Sequence, residues 1–122
     1  MQYGAQAYGK VAKQTSSPRE LEASLLLKAA ARLQAVRDAW GQDSGRVDEA
    51  LLYNRKLWSF FLVSVTQPDN PLPDLVRQNV ANLGMFVMNQ TISLMAEPQR
   101  EKLVPLISIN REIAAGLLGR AA

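Results

Sequence analysis

The chain has 122 residues, of which 48% are apolar and 20% are charged, and its formal net charge is +3. This length allows one domain with one hydrophobic core. The chain contains no Cys and no His, which excludes disulfides and removes the commonest general base and the commonest metal ligand. We therefore expect neither an enzyme nor a protein with a metal or cofactor site.

The excess positive charge lies near the start of the chain. In residues 1–40, Lys and Arg outnumber Asp and Glu by six to three, whereas the two signs balance in residues 41–122. These cations form no basic stripe with interleaved aromatic residues, which nucleic-acid-binding surfaces usually show. The pattern favours a solvated helix face over direct nucleic-acid binding.

The span Gln78–Ala96 carries no charge and has 19 residues, which is the length of a membrane helix. It also contains five Asn and Gln side chains, whose amides are costly to place in a bilayer without partners. The opening residues lack the apolar run of a signal peptide. We therefore expect a cytoplasmic protein without a membrane span.

The first helix is predicted to begin at "SSPRELE". Ser17 suits the N-cap, Pro18 the first helical position, and Glu20 completes a capping box. Residues 1–16 show no strong apolar period and are predicted to form a flexible arm before a single bundle domain over residues 17–122. Gly41 is the predicted stop of the helix. Its apolar stripe comprises Leu21, Leu25, Ala29, Leu33, Val36 and Trp40.

Proline-rich breaks separate three further predicted helices. The second runs from about residue 46 to 67 and ends at "QPDNPLP", and the third runs from about 73 to 95. The fourth begins near Pro98, is kinked or split near Pro105, and ends at Gly119. Four helices with short connections predict an all-α antiparallel four-helix bundle. The stripe of the second helix comprises Val47, Leu51, Asn54, Trp58, Phe61 and Val65.

The third helix carries two apolar stripes, although a plain bundle needs one. The first is branched and aliphatic, which suits a fixed core. The second holds three of the four methionines and suits either a groove for a partner's amphipathic helix or further core. The first stripe comprises Val76, Val80, Leu83, Val87 and Leu94. The second comprises Ala81, Met85, Met88, Ile92 and Met95.

The second helix also has more apolar surface than one stripe uses. Trp58 and Phe61 can fill a core, while Phe60 and Leu62 point elsewhere around the helix. Such residues need a cover, which is the N-terminal arm, a second copy of the chain or a partner protein. The candidate partner-binding residues are Met85, Met88, Ile92, Met95, Phe60 and Leu62.

Two asparagines lie within apolar stripes. Asn54 is in the second helix and Asn110 in the fourth, and a buried amide needs hydrogen-bond partners. We expect them to bond each other or a neighbouring backbone, which fixes the register of the bundle. The resulting structural motif comprises Asn54, Arg55, Leu57, Trp58, Asn110 and Arg111.

Five stretches in order resemble the flagellar biosynthesis regulator family FlaF. They are "AYGKV", "SPRELEASLL", "ALLYNRKLWSFFLVSV", "NPLPDLVRQNVANLGMFV" and "LISINREIAAGL". They are similar to the family's Asn-Arg-x-Leu-Trp core, its Asn-x-Leu-Pro entry to the third helix, and its closing Ile-Asn-Arg stretch. The resemblance covers nearly the whole chain.

The resemblance implies a small, helical, non-enzymatic protein needed for flagellin production or export. It implies flagellin as the client of a secretion chaperone, and the regulator FlbT as a further partner. One alternative is post-transcriptional control of flagellin mRNA together with FlbT. Another is that the surplus apolar stripes close a homodimer.

Overall fold

The computed structural model describes residues 17–42 and 44–119, and the chain forms four α-helices and no strand within them. This confirms the all-α fold and the four predicted helices. The predicted arm over residues 1–16 lies outside the described residues. None of the described helices is long and apolar enough to cross a membrane. The elements are α1 (Pro18–Asp38), α2 (Ser44–Val65), α3 (Asp74–Ala96), a 3-10 turn (Arg100–Lys102) and α4 (Leu103–Leu117).

The start of α1 follows its predicted cap. The backbone N–H of Glu20 donates to Ser17 Oγ at 3.1 Å, and Pro18 is the first helical residue. The helix ends at Asp38, and Gly41 follows with a φ of +88°. Glycine adopts this left-handed conformation without the steric cost that a side chain adds. Short-range rules therefore set both ends of α1.

The predicted break near Pro105 takes the form of a restart. A 3-10 turn precedes α4, and Pro105 is the third residue of the new helix. A backbone N–H in the first turn of a helix has no partner within the helix, so proline is tolerated there. The prediction that Pro98 opens the fourth helix was wrong, because α4 begins at Leu103.

The helices pack unequally around one core. α1 packs mainly against α4 and also against α2, whereas α3 packs mainly against α2 and only slightly against α4. Arg77 Nη1 near the start of α3 donates to the Gln67 carbonyl just after α2, at 3.2 Å. Gly84, further along α3, lies beside Leu62 and Trp58 of α2. These contacts show that α2 and α3 run antiparallel.

The buried face of α1 differs from the predicted stripe. Leu21 is 47% exposed, while Ala23, Leu26 and Ala30 are fully or almost fully buried. Because α1 lies against both α2 and α4, its buried face is wide. Small alanines fit where neighbouring helices approach closely, and a search for large apolar residues misses them.

A buried polar network joins α1, α2 and α4. Trp58 Nε1 donates to Asn110 Oδ1 at 2.9 Å, and Asn110 Nδ2 donates to Asn54 Oδ1 at 2.6 Å. Asn110 Nδ2 also donates to the carbonyl of Leu26 at 3.4 Å. The two asparagines thus bond each other and a backbone group, as the sequence predicts. All members of the predicted α2 stripe are buried as well.

Candidate functional site: the outer face of α2 and α3

The side of α2 opposite its buried stripe carries several exposed apolar residues. Phe60 is 73% exposed, Val63 is 60% exposed, and Leu52 is exposed as well. Single exposed apolar side chains are ordinary, but several on neighbouring turns form a patch. Within "LWSFFLVSV", the exposed residues are Phe60 and Val63.

Helix α3 has one buried stripe within the described structure. From the predicted aliphatic stripe, Val80, Val87 and Leu94 are buried, whereas Leu83 is half-buried and Val76 is exposed. Gly84 and Thr91 complete the buried face. The other residues of this helix are half-buried or exposed.

The predicted methionine stripe divides between core and surface. Met85 and Ile92 are each 58% exposed. Ala81, Met88 and Met95 are half-buried and pack against the core. The stripe therefore forms the edge of the core and continues onto an open surface. This division provides apolar side chains that another molecule can contact.

Gly84 brings α3 against α2. A Cβ atom at this position would lie 2.5 Å from Leu62 Cδ2 and 3.2 Å from Trp58 Cε3. The first distance is far shorter than a van der Waals contact, so the side chain of Leu62 occupies the space that any larger residue would need. The contact fixes which sides of α2 and α3 face each other.

This contact locates the outward residues of both helices. At about 100° per residue, Leu52 and Val63 follow Leu62 around α2, on the side away from α1. On the antiparallel α3, Met85 and Ile92 turn to the same side. We call this surface the α2–α3 outer face. It comprises Leu52, Leu62 and Val63 of α2 and Met85, Met88 and Ile92 of α3.

Phe60 lies at the margin of this surface, one helical turn from Val63 and turned away from α3. Two residues span about 200° around a helix, so Phe60 and Leu62 point in nearly opposite directions. Met95 is half-buried at the far end of α3. Among the six candidate partner-binding residues, the structure thus brings together Leu62, Met85, Met88 and Ile92.

A separate cavity of about 350 Å³ lies at the end of the bundle where α1 begins. Apolar side chains including Phe61, Leu72 and Ile113 line it, together with the charged residues Arg19 and Glu22. Burial raises the pKa of the Glu22 carboxyl, and the nearby Arg19 guanidinium partly offsets this rise. The cavity therefore places a half-buried acid beside an apolar wall.

Among the described residues, no group of three or more Asp, Glu, His or Cys side chains could hold a metal ion. Asn54 and Asn110 bond each other in the core, and Thr91 Oγ1 donates to the carbonyl of Val87. Arg55 and Arg111, which follow the two asparagines, are exposed. The outer face instead offers apolar area to a molecule that can cover it.

A helical bundle that leaves an apolar helix face open has the features of a protein-binding module. The chain matches the family model described as "Flagellar protein FlaF" over residues 4–117. Since this match covers most of the chain, the protein belongs to the FlaF family, as its motifs suggest. Its role is therefore flagellar. No curated protein and no solved structure matches the chain.

The packing role of Gly84 is not among the features predicted from the sequence. A glycine within a helix lowers helical stability by about 1 kcal/mol relative to alanine, so its presence calls for a packing reason. The flanking "NLGMFV" gave that signal. Without the position of Leu62, however, the sequence did not show which helix approaches.

Proposed function

We propose that the protein is a cytoplasmic flagellin-binding chaperone that holds a terminal helix of unpolymerised flagellin on the α2–α3 outer face before export. Membership of a flagellar family supports a flagellar partner. The exposure of Met85, Ile92 and Val63 on one surface supports a helix as the bound element. This exposure is the observation that carries the proposal.

The proposed complex follows from the cost of exposed apolar surface. Burying one large apolar side chain contributes about 1.5–3 kcal/mol. The terminal helices of flagellin pair through apolar contacts in the filament and need cover before assembly. The exposed apolar side chains of the α2–α3 outer face are also costly to leave in water. In the complex, the apolar surfaces of the two proteins would cover each other. Methionine adapts to varied partner shapes, which suits a chaperone.

The test is size-exclusion chromatography with light scattering on the protein, alone and mixed with purified unpolymerised flagellin. We expect a one-to-one complex that survives high salt, because apolar contacts depend little on ionic strength. Met85→Glu and Ile92→Glu should each weaken binding by at least about 10-fold, since a buried unpaired carboxylate is costly.

A matched control is Asn79→Glu. Asn79 is also exposed on α3, and it points about 120° away from Met85 around the helix axis. This variant should bind like the unaltered protein. All three variants should keep the helical circular dichroism signal and the melting temperature, because their side chains are exposed in the free protein.

Two other results would overturn the chaperone proposal. A stable homodimer that does not bind flagellin would assign the outer face to self-association. Binding to flagellin mRNA, alone or with FlbT, that weakens steeply with salt would instead support post-transcriptional control. The excess of Lys and Arg in residues 1–40 is the observation that favours this second function.

A further inference from the structure

The charges on the outer face are few. Helix α3 carries no charged residue from Gln78 to Ala96. On α2, Arg55 is exposed, and its guanidinium has no ion pair or hydrogen bond within the described residues. Lys56 is exposed as well, but it lies beside Val63 at the margin away from α3, whereas Arg55 lies nearer to α3. Arg55 is therefore the cation that a helix covering both α2 and α3 would meet.

Arg55 lies along the line where α2 meets α3. It precedes Leu62 by seven residues, which places the two within about 20° of each other around the axis. Leu62 contacts Gly84 of α3, so Arg55 projects toward α3 two turns earlier. In the antiparallel pair, Arg55 is level with residues 87–91 of α3, which include Met88. The cation thus lies between Leu52 and Leu62 on the part of the outer face nearest α3.

Asp48 precedes Arg55 by a further seven residues and is exposed as well. Asp48, Arg55 and Leu62 therefore form one row along α2, in the order acid, base, apolar residue. Successive members lie about 10 Å apart along the axis. Such a row distinguishes the two ends of the face, which a purely apolar surface cannot do.

We propose that Arg55 is a specificity-determining residue that pairs with an Asp or Glu carboxylate on the helix bound at the α2–α3 outer face. This inference rests on the proposed function and adds the chemistry of its partner. An apolar helix over the face would remove water from the guanidinium, which remains charged in proteins. A carboxylate compensates this loss through paired N–H···O bonds.

The row of α2 also sets the direction of the bound helix. An acid opposite Arg55 is attracted, whereas an acid two turns away would meet Asp48 and be repelled. Complementary charges of this kind select one register and one partner more than they raise affinity. The partner is thus an amphipathic helix with a carboxylate within or beside its apolar stripe.

The test measures binding of purified unpolymerised flagellin to Arg55→Glu, Arg55→Gln and Arg111→Glu. Arg111 is a matched control, because it is exposed and follows a buried asparagine on α4 just as Arg55 does on α2. We expect Arg55→Glu to weaken binding by about 10- to 100-fold and Arg55→Gln by a smaller factor. Arg111→Glu should leave binding unchanged.

Each outcome separates this inference from the proposed function. If both Arg55 variants bind like Arg111→Glu while Met85→Glu does not bind, Arg55 has no role and the chaperone proposal stands. If Arg55→Gln binds normally and only Arg55→Glu fails, the face tolerates a neutral residue and the proposed ion pair is absent. If Met85→Glu also binds normally, the proposed function fails with it.

Discussion

Helix α4 buries a larger share of its residues than helix α3 does. Helix α3 has 23 residues and α4 has 15, yet each buries five. Helix α4 lies along α1 and reaches the core network through Asn110, whereas α3 lies mainly against α2 alone. An apolar composition therefore does not decide burial in this protein. The extent of contact with neighbouring helices does, and the contacts of α3 leave its outer side uncovered.

The largest expected effect comes from replacing Trp58, because this residue of α2 is bonded to α4 in the core. Trp58 is fully buried, bonds Asn110, and packs edge-on against Phe61 with ring centroids 5.6 Å apart. Trp58→Ala should lower the free energy of unfolding by about 3–5 kcal/mol. Urea denaturation followed by circular dichroism measures this loss. Trp40→Ala is the control and should cost much less, since Trp40 is half-buried beyond the end of α1.

A smaller loss is expected when the buried polar network is broken. Asn110→Leu leaves the N–H of Trp58 and the carbonyl of Asn54 without their partner, which costs about 1–3 kcal/mol. Asn79→Leu, at an exposed position of α3, should change stability by less than about 0.5 kcal/mol. Equal effects in urea denaturation would mean that the network adds nothing to stability.

Alanine substitutions at two glycines compare the close α2–α3 contact with the open surface of α4. Gly84→Ala should destabilise by about 1–2 kcal/mol, because overpacking against Leu62 and Trp58 exceeds the gain in helix propensity. Nothing lies within 4 Å of a Cβ atom built at Gly116, so Gly116→Ala should stabilise by up to about 1 kcal/mol. Thermal melts should show a lower melting temperature for Gly84→Ala and a higher one for Gly116→Ala. A stabilising Gly84→Ala would show that Leu62 moves aside readily.

The smallest expected effect concerns Glu22 at the end cavity. Burial raises the pKa of its carboxyl in the folded protein, so folding disfavours the ionised form. Stability is then highest below the ordinary pKa of Glu and falls as the pH rises through the raised pKa. Glu22→Gln should increase stability near neutral pH by less than about 1 kcal/mol, because the group is only half-buried. Urea denaturation at pH 4 and pH 7 checks this, since the gain should shrink at the lower pH.

The helices and much of the core could be predicted from local patterns. Ser17 and Gly41 mark positions where the backbone needs a cap or a left-handed residue, and both requirements are local. The α2 stripe was predicted in full, because large apolar residues at a helical period leave one choice of face. The partnership of Asn54 with Asn110 followed from the need of buried amides for hydrogen bonds.

The site was only partly predictable, because exposure depends on neighbours. Phe60 and Leu62 were grouped as surplus apolar residues, yet only Leu62 faces α3. Met85 and Met88 were placed on one stripe, yet the first is exposed and the second is half-buried. Periodicity gives directions around one helix axis, and it does not give the position of the next helix.

The sequence by itself determined four helices, their approximate limits, the asparagine pair and the excess of apolar surface. Capping, helical period and hydrogen-bond need are properties of short segments, so they can be read without a fold. Only the tertiary structure decided that α3 rests on α2 at Gly84, that the methionine stripe lies at the edge of the core, and that Arg55 stands beside it. These facts depend on which helices contact each other. Those contacts are set by the packing of segments that are far apart in the sequence, so no short segment determines them.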